Sequence, residues 1–300
     1  MPNTELLMNS LAETLSEHLG YNSFELTNVE EGNLNYSFKM KGETFDYFIK
    51  YFSNRLIKRE GIRGIDKRYK MEKFVLSTCN QAGLLTPKLE ASIDNNKILI
   101  LENLIGESLT NCFFEIEDSL SVLYVIGLWI GEFHNIFEIK EFCNSLSAEF
   151  AFIYKIKSSG DNDQFLDEIV KKISKEIALL KFQKRVLSRN DCHFGNFIYS
   201  NNMIYGIDFE LCSYQYPPID LAGIFVSYID LVANNNKNID CNNIFSDYQY
   251  LLKGYNEATG EDLTNVFVLF IEIILLKKYY KTKKNKYLNY LIKVDNISIT

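Results

Sequence analysis

Between Arg189 and Glu210 the chain places Asp191, then Asn196 five residues later and Asp208 twelve beyond that, around short apolar runs at 197–199 and 203–205. Transfer of a nucleotide's γ-phosphoryl group calls for such a set. One carboxylate meets the acceptor hydroxyl, while an amide oxygen and a second carboxylate hold metal ions. An ionised Asp191 can orient a hydroxyl and accept its proton. Asn196 and Asp208 supply the hard oxygen ligands that Mg²⁺ takes. His193 sits two residues from Asp191 and suits loop shaping by hydrogen bonding. Glu210 either adds a carboxylate near the metal or holds the loop. Cys192 and Cys212 fit as small packing residues.

A nucleotide triphosphate brings about four negative charges, which cannot be buried unpaired. Lys50, in the apolar strand 47–52, can reach phosphates from one face of a sheet. Glu72, on the following helix, can pair with it and fix its position. The turn containing Gly32, Asn33 and Asn35 offers backbone amides to cover phosphates. The chain contains no GxxxxGK[ST] run, so a P-loop mechanism is not supported.

These residues need elements to hold them. The leucines at 7, 11, 15 and 19 predict a helix over 3–19 closed by Gly20. Strands are expected at 24–30, 36–40 and 44–52, a helix at 69–82, and a hairpin over 88–92 and 97–102. After Glu102 the character becomes helical, with helices expected at 119–137 and within 161–185 and short strands between 197 and 208. Strands first and helices later give an α+β chain of two lobes, 1–102 and 103–300, with a hinge near 101–108. At 300 residues it is long enough for two cores.

The six cysteines form no CxxC pair, which argues against a zinc site or disulfide framework and fits a cytoplasmic protein. No signal peptide or membrane span is expected. A net charge of −7 disfavours a nucleic-acid partner. That charge is uneven. Residues 1–102 hold 14 acids and 13 bases, residues 103–276 hold 24 and 12, and residues 277–300 hold seven lysines and one Asp. The acidic middle favours a small cationic or polyhydroxyl substrate. Trp129 and Tyr214 are candidates for a cation–π cage around it.

The pattern resembles the aminoglycoside phosphotransferase and choline kinase superfamily, which has a protein-kinase-like fold. The resemblance is carried first by Asn190-Asp191-x-His193-x-Gly195-Asn196, then Ile207-Asp208-Phe209-Glu210 and Asp220-Leu221-Ala222. Glu72-x-x-Val75-Leu76, Leu101-Glu102-Asn103-Leu104 and Gly127-x-x-x-Gly131-x-x-His134 follow in order. It implies an N-terminal lobe of antiparallel sheet plus helix and a mostly helical C-terminal lobe. It makes Asp191 the catalytic Asp, Asn196 and Asp208 the Mg²⁺ ligands, Lys50 the phosphate lysine and Glu72 its partner. ATP or GTP would be the donor, its base held by backbone groups around Glu102, Asn103 and Leu104. Asp220 would brace the catalytic loop. The family usually has His where this chain has Arg189, a scaffold position for the metal-binding segment.

Asp220 lies only twelve positions after Asp208, which leaves no room for an activation segment that docks a peptide. A small-molecule hydroxyl is the expected acceptor. An aminoglycoside-type kinase is preferred to a choline, ethanolamine or other metabolite kinase, acting as a monomer or weak homodimer. A nucleotide-binding module without turnover, suggested by Arg189, is the alternative of another class. All of this requires the side chains at 50, 191, 196 and 208 to converge on one metal-bound triphosphate.

Overall fold

The computed structural model describes residues 4–21, 23–29, 35–53, 57–139, 164–180, 185–235 and 246–297. The chain divides into two compact units, Met1–Glu107 with Ile198–Leu211, and Ser108–Phe197 with Cys212–Thr300.

The first unit opens with helix α1 (Thr4–Leu19) and strands β1 (Glu25–Val29), β2 (Tyr36–Lys41) and β3 (Asp46–Tyr51). Helix α2 (Ile57–Ala82) and strands β4 (Leu89–Ile93) and β5 (Ile98–Glu102) complete its main body. The strands form an antiparallel sheet in the order β1-β2-β3-β5-β4. The leucine spacing of α1 works as expected. Leu11 and Leu15 pack with Phe38, Met40, Ile49, Ile98 and Ile100 in one core. Leu15 is fully buried, which contributes about 1.5–3 kcal/mol. Strand alternation puts Ile49 on that face and its neighbour Lys50 on the opposite one, in register with Ser37 and Leu99.

Helix α2 begins twelve residues before the expected Tyr69. Gly61 and Gly64 weaken the helical pattern there without ending the helix. Its buried stripe is Ile65, Arg68, Tyr69, Glu72, Val75, Leu76 and Cys79, so two charged residues ride on an otherwise apolar face. Strands Phe197–Ser200 and Met203–Gly206 form a hairpin whose turn residues, Asn201 and Asn202, have φ of 50° and 61°. Two successive positive φ values suit such a turn, and Asn tolerates them.

The second unit is mostly helical: α3 (Ser119–Ile136), α4 (Gln164–Leu179), α5 (Pro218–Asn235), α6 (Tyr248–Thr259), α7 (Thr264–Thr282) and α8 (Asn285–Ile297). The Asp118 carboxylate caps α3 by accepting from the Ser121 N–H. Antiparallel strands Glu138–Ile139, Arg185–Ser188 and Ser213–Gln215 form a small sheet. Helices α3 and α6 meet at two glycines. A Cβ on Gly127 would lie 2.1 Å from the Leu251 carbonyl oxygen, and one on Gly254 would lie 2.0 Å from that of Tyr124. Such contacts forbid even a methyl group. Gly127→Ala is expected to cost about 1–3 kcal/mol, the usual range for overpacking, read as a lowered thermal midpoint. An unchanged midpoint would show that the two helices can separate freely.

Cys79, Cys112, Cys192 and Cys212 are buried thiols, while Cys143 and Cys241 fall outside the described residues. Burial pushes the Cys192 thiol well above its usual pKa, as suits a packing residue. Among the described residues, no helix is long and apolar enough to cross a membrane.

Candidate active site

In the first unit, β3, α2 and the segment after the hairpin bring a charged cluster together. The Lys50 ammonium donates to Glu72 Oε2 at 2.6 Å and to Asp208 Oδ1 at 2.8 Å, with Glu210 Oε2 at 3.7 Å. Glu210 accepts from the Asn35 amide and, at 3.2 Å, from Arg68, which also donates to Asn35 Oδ1 at 3.1 Å. Lys50, Glu72, Glu210, Arg68 and Asn35 are all buried, whereas the Asp208 side chain is 41% exposed. Asp208 therefore forms the open side of the cluster.

Burial works against the Lys50 charge, but Asp208, Glu72 and Glu210 outweigh it and hold the ammonium well above its ordinary pKa. Burial pushes the Glu72 carboxyl up, to about 7, against the pull of Lys50 and with the push of Asp208 and Glu210. Glu72, Asp208 and Glu210 each present a carboxylate oxygen within 4.8 Å of the others. This hard-oxygen set suits a Mg²⁺ ion.

Asp208 has φ of 64° and Asn190 has φ of 61°, uncommon values outside glycine. Each lies at a residue the sequence marks for chemistry, or directly before one. Strain held at such positions is typical of functional loops.

In the second unit the loop from Ser188 to Asn196 is pinned from below by Asp220. Its carboxylate accepts from Ser188 Oγ at 2.7 Å and from the Arg189 N–H at 2.9 Å, and lies 3.1 Å from His134 Nε2. A carboxylate can only accept, so His134 donates from Nε2, and its Nδ1 meets the Tyr255 hydroxyl at 3.2 Å. His134 is thus a fully buried, satisfied core histidine.

Burial opposes the Asp220 charge, but these donors hold its pKa below the usual value of 3.8. A carboxyl with a depressed folded pKa contributes stability above its unfolded value and loses it as pH falls through the folded one. Asp220→Asn is therefore expected to cost about 3–5 kcal/mol at neutral pH, the usual loss when one partner of a buried pair is removed. The deficit should shrink in acid below pH 3.8. Urea midpoints of both proteins from neutral pH into acid check this. A deficit independent of pH would remove the charge from the explanation.

Asn196 is buried, and its amide donates to the Asp191 carbonyl at 2.8 Å. That bond commits the amide nitrogen and leaves the side-chain oxygen as the residue's remaining polar atom. The Asp191 side chain is 59% exposed, and its Oδ1 lies 3.7 Å from His193 Nε2.

Arg189 is almost fully buried. One guanidinium nitrogen donates to the Asn196 carbonyl at 3.1 Å, and the guanidinium carbon lies 4.6 Å from the centre of the Phe197 ring and 5.3 Å from that of Trp129. A flat, delocalised cation can occupy that aromatic slot where an ammonium would not. Arg189 thereby holds the backbone of Asn196. The expectation for Trp129 is corrected: it is 3% exposed, stacks on Phe133, and its cation is Arg189 rather than a substrate.

Other sequence candidates lie apart from these bonds. Glu102 accepts from the Lys88 N–H at 3.2 Å, and Asn103 donates to Asp46 at 2.9 Å. Leu104 is half-buried just beyond β5. Gly32 falls outside the described residues. Arg68 was missed by the sequence reading. Its position four residues before Glu72 on one helical stripe was the available signal.

No protein-family model and no curated protein matches this chain. Solved structures do match its fold. A choline kinase from Cryptosporidium parvum Iowa II superposes with a TM-score of 0.62 at 17% identity, over 99% of this chain and 98% of that one. An amicoumacin kinase in complex with AMP-PNP and Ca²⁺ gives 0.61 at 15%, over 98% and 94%. The aminoglycoside phosphotransferase APH(4)-Ia gives 0.57 at 15%, over 95% and 97%. This chain has the fold of those kinases. The resemblance carried by the motifs therefore holds at the level of architecture, an α+β chain with an antiparallel sheet and a mostly helical second unit.

Proposed function

We propose that the chain is a small-molecule kinase that moves the γ-phosphoryl group of ATP or GTP to a substrate hydroxyl. The observation that carries this reading is the buried contact of Lys50 with both Glu72 and Asp208, at 2.6 and 2.8 Å, in a chain with a kinase fold. A lysine fixed by one carboxylate and aimed at a second, more exposed one is ready to hold phosphates. Asp208 and Asn196 would hold Mg²⁺, with Glu210 in support. The ion, when bound, supplies charge neutralisation at the phosphates.

Asp191 would accept the acceptor's proton as the hydroxyl oxygen bonds to phosphorus and the bond to the bridging phosphate oxygen breaks. Its exposure leaves room for an acceptor. Asp220, His134 and Arg189 keep the loop in place and touch no reacting atom. The backbone around Glu102, Asn103 and Leu104 is assigned to the nucleotide base by the resemblance alone.

A coupled nucleotide-turnover screen over aminoglycosides, choline, ethanolamine, sugars and hydroxy acids tests the activity. Mg²⁺-dependent turnover stimulated by one acceptor is expected. Nucleotide binding with no turnover under any acceptor would instead make the chain a binding module.

A further inference from the structure

Three donors converge on one oxygen of Glu210. The Asn35 amide donates to its Oε2, Arg68 Nη1 does so at 3.2 Å, and Lys50 Nζ stands 3.7 Å away. The same Arg68 nitrogen donates to Asn35 Oδ1 at 3.1 Å, so Arg68, Asn35 and Glu210 close a ring of hydrogen bonds. All three are buried. The ring joins the residue just before β2, the middle of α2 and the segment after the hairpin, pieces far apart in sequence. Arg68 lies one helical turn before Glu72, so a single stripe of α2 carries partners for both Lys50 and Glu210.

We propose that Arg68 is a positioning residue for nucleotide binding, which neutralises Glu210 and through it holds Asp208 and Lys50 ready for the phosphates. This rests on the kinase reading of the site and deepens it. Two observations give Arg68 that role. The first is the backbone of Asp208, whose φ of 64° persists only when the surroundings hold it. The next two residues supply the hold. Phe209 is fully buried, and Glu210 is tied by Arg68 and Asn35. The Asp208 carboxylate is thereby left on the open side of the cluster.

The second observation is the position of Lys50. Its ammonium lies 2.6 Å from Glu72, 2.8 Å from Asp208 and 3.7 Å from Glu210. Without the guanidinium, Glu210 would attract Lys50 more strongly and draw it off Asp208. With the guanidinium in place, Lys50 stays aimed at the carboxylate that is open. The two cations thus divide the work, Arg68 on Glu210 and Lys50 on Glu72 and Asp208. An Arg68 that only packed α2 would affect every ligand of the site in the same direction. A charge role makes the effects on anions and cations opposite in sign.

The test titrates the full chain calorimetrically with AMP-PNP in EDTA and, separately, with MgCl₂ in the absence of nucleotide. Arg68→Gln should weaken AMP-PNP by about tenfold or more, as truncation of one partner of a buried charge pair does. It should tighten Mg²⁺ by about threefold or more, because Glu210 then adds an uncompensated charge to oxygens of Glu72 and Asp208 that lie within 4.8 Å. Arg68→Lys keeps the charge and should stay within about threefold of wild type for both ligands. Arg68→Gln combined with Glu210→Gln removes both charges and should recover AMP-PNP affinity to within about threefold. Lys70→Gln, on an exposed lysine of the same helix, should change neither affinity. Thermal midpoints identify which variants are folded. If Arg68→Gln alone does not fold, Arg68→Lys and the double variant carry the test, and both are expected to fold and to bind AMP-PNP.

Weakening of both ligands by Arg68→Gln, no change in either, or failure of the double variant to recover overturns the assignment of Arg68 and leaves the kinase reading standing. A wild-type chain that binds AMP-PNP neither alone nor with Mg²⁺ would overturn the kinase reading itself, and the role of Arg68 with it.

Discussion

Asp191→Ala is expected to lower kcat by about 10²–10⁴-fold, the usual contribution of a positioned general base. Nucleotide affinity should hardly change. Asp191 has a 59% exposed side chain and, among the described residues, its carboxylate approaches no Lys or Arg, so removing it leaves no described buried charge unpaired. Its carbonyl accepts from Asn196, and that bond survives truncation of the side chain. The fold and the placement of Asn196 should therefore persist. Steady-state kinetics beside equilibrium binding of a fluorescent nucleotide separates the two quantities. Loss of kcat with unchanged affinity marks Asp191 as acting on the acceptor. Equal kcat in the two proteins would end its role as base.

Lys50→Met should destabilise the chain strongly. Among the described residues, two buried cations, Lys50 and Arg68, face three carboxylates, Glu72, Asp208 and Glu210. Methionine keeps the aliphatic stem but leaves one cation against three carboxylates. Breaking a buried pair in this way typically costs about 3–5 kcal/mol, chiefly because the remaining charge is uncompensated. Glu72, already pushed up to about 7, should rise further once its main positive neighbour is gone.

Two consequences distinguish this from simple loss of packing. Added Mg²⁺ should restore part of the lost stability, since the three carboxylates then have a cation to bind. Affinity for Mg²⁺–nucleotide should nonetheless fall, because the phosphates lose their lysine. Thermal melts with and without MgCl₂ give both readings. A melt as high as wild type without metal would mean that the Lys50 contacts contribute little.

The sequence disclosed part of this site for identifiable reasons. Lys50 stands out because a lone lysine interrupts an apolar strand, and strand alternation then assigns it a face. Asp191, Asn196 and Asp208 stand out by spacing. Arg68 was hidden by its neighbours. In the run 67–70, Lys67 and Lys70 are exposed, as a basic helix surface should be, while Arg68 is 4% exposed. Helical phase decides which residue turns inward, and that phase was obscured because the first half of α2 was not recognised.

Asn35 was read as a turn residue for phosphates. It is buried by a bond to Glu210, 175 residues away, a partner no local pattern can name. Arg189 looked like a departure from the family's scaffold. Its fitness depends on Trp129 and Phe197 forming an aromatic slot, which is a tertiary fact. Residues 277–300 showed in the sequence only as seven lysines and one Asp, because bulk charge carries no direction. Only the phase of α7 places Lys277, Lys278 and Lys281 along one cavity with Asp191.

The central claim is that Lys50, Asp191, Asn196 and Asp208 serve one metal-bound triphosphate. A crystal structure of the full chain with Mg²⁺ and AMP-PNP tests it most directly. The expected result is one Mg²⁺ bonded by the Asn196 side-chain oxygen and the Asp208 carboxylate at about 2.0–2.1 Å, with Lys50 Nζ on a phosphate oxygen. Asp191 should face the γ-phosphorus. A nucleotide bound with its phosphates away from Lys50, or a metal that takes neither Asn196 nor Asp208, would contradict the account.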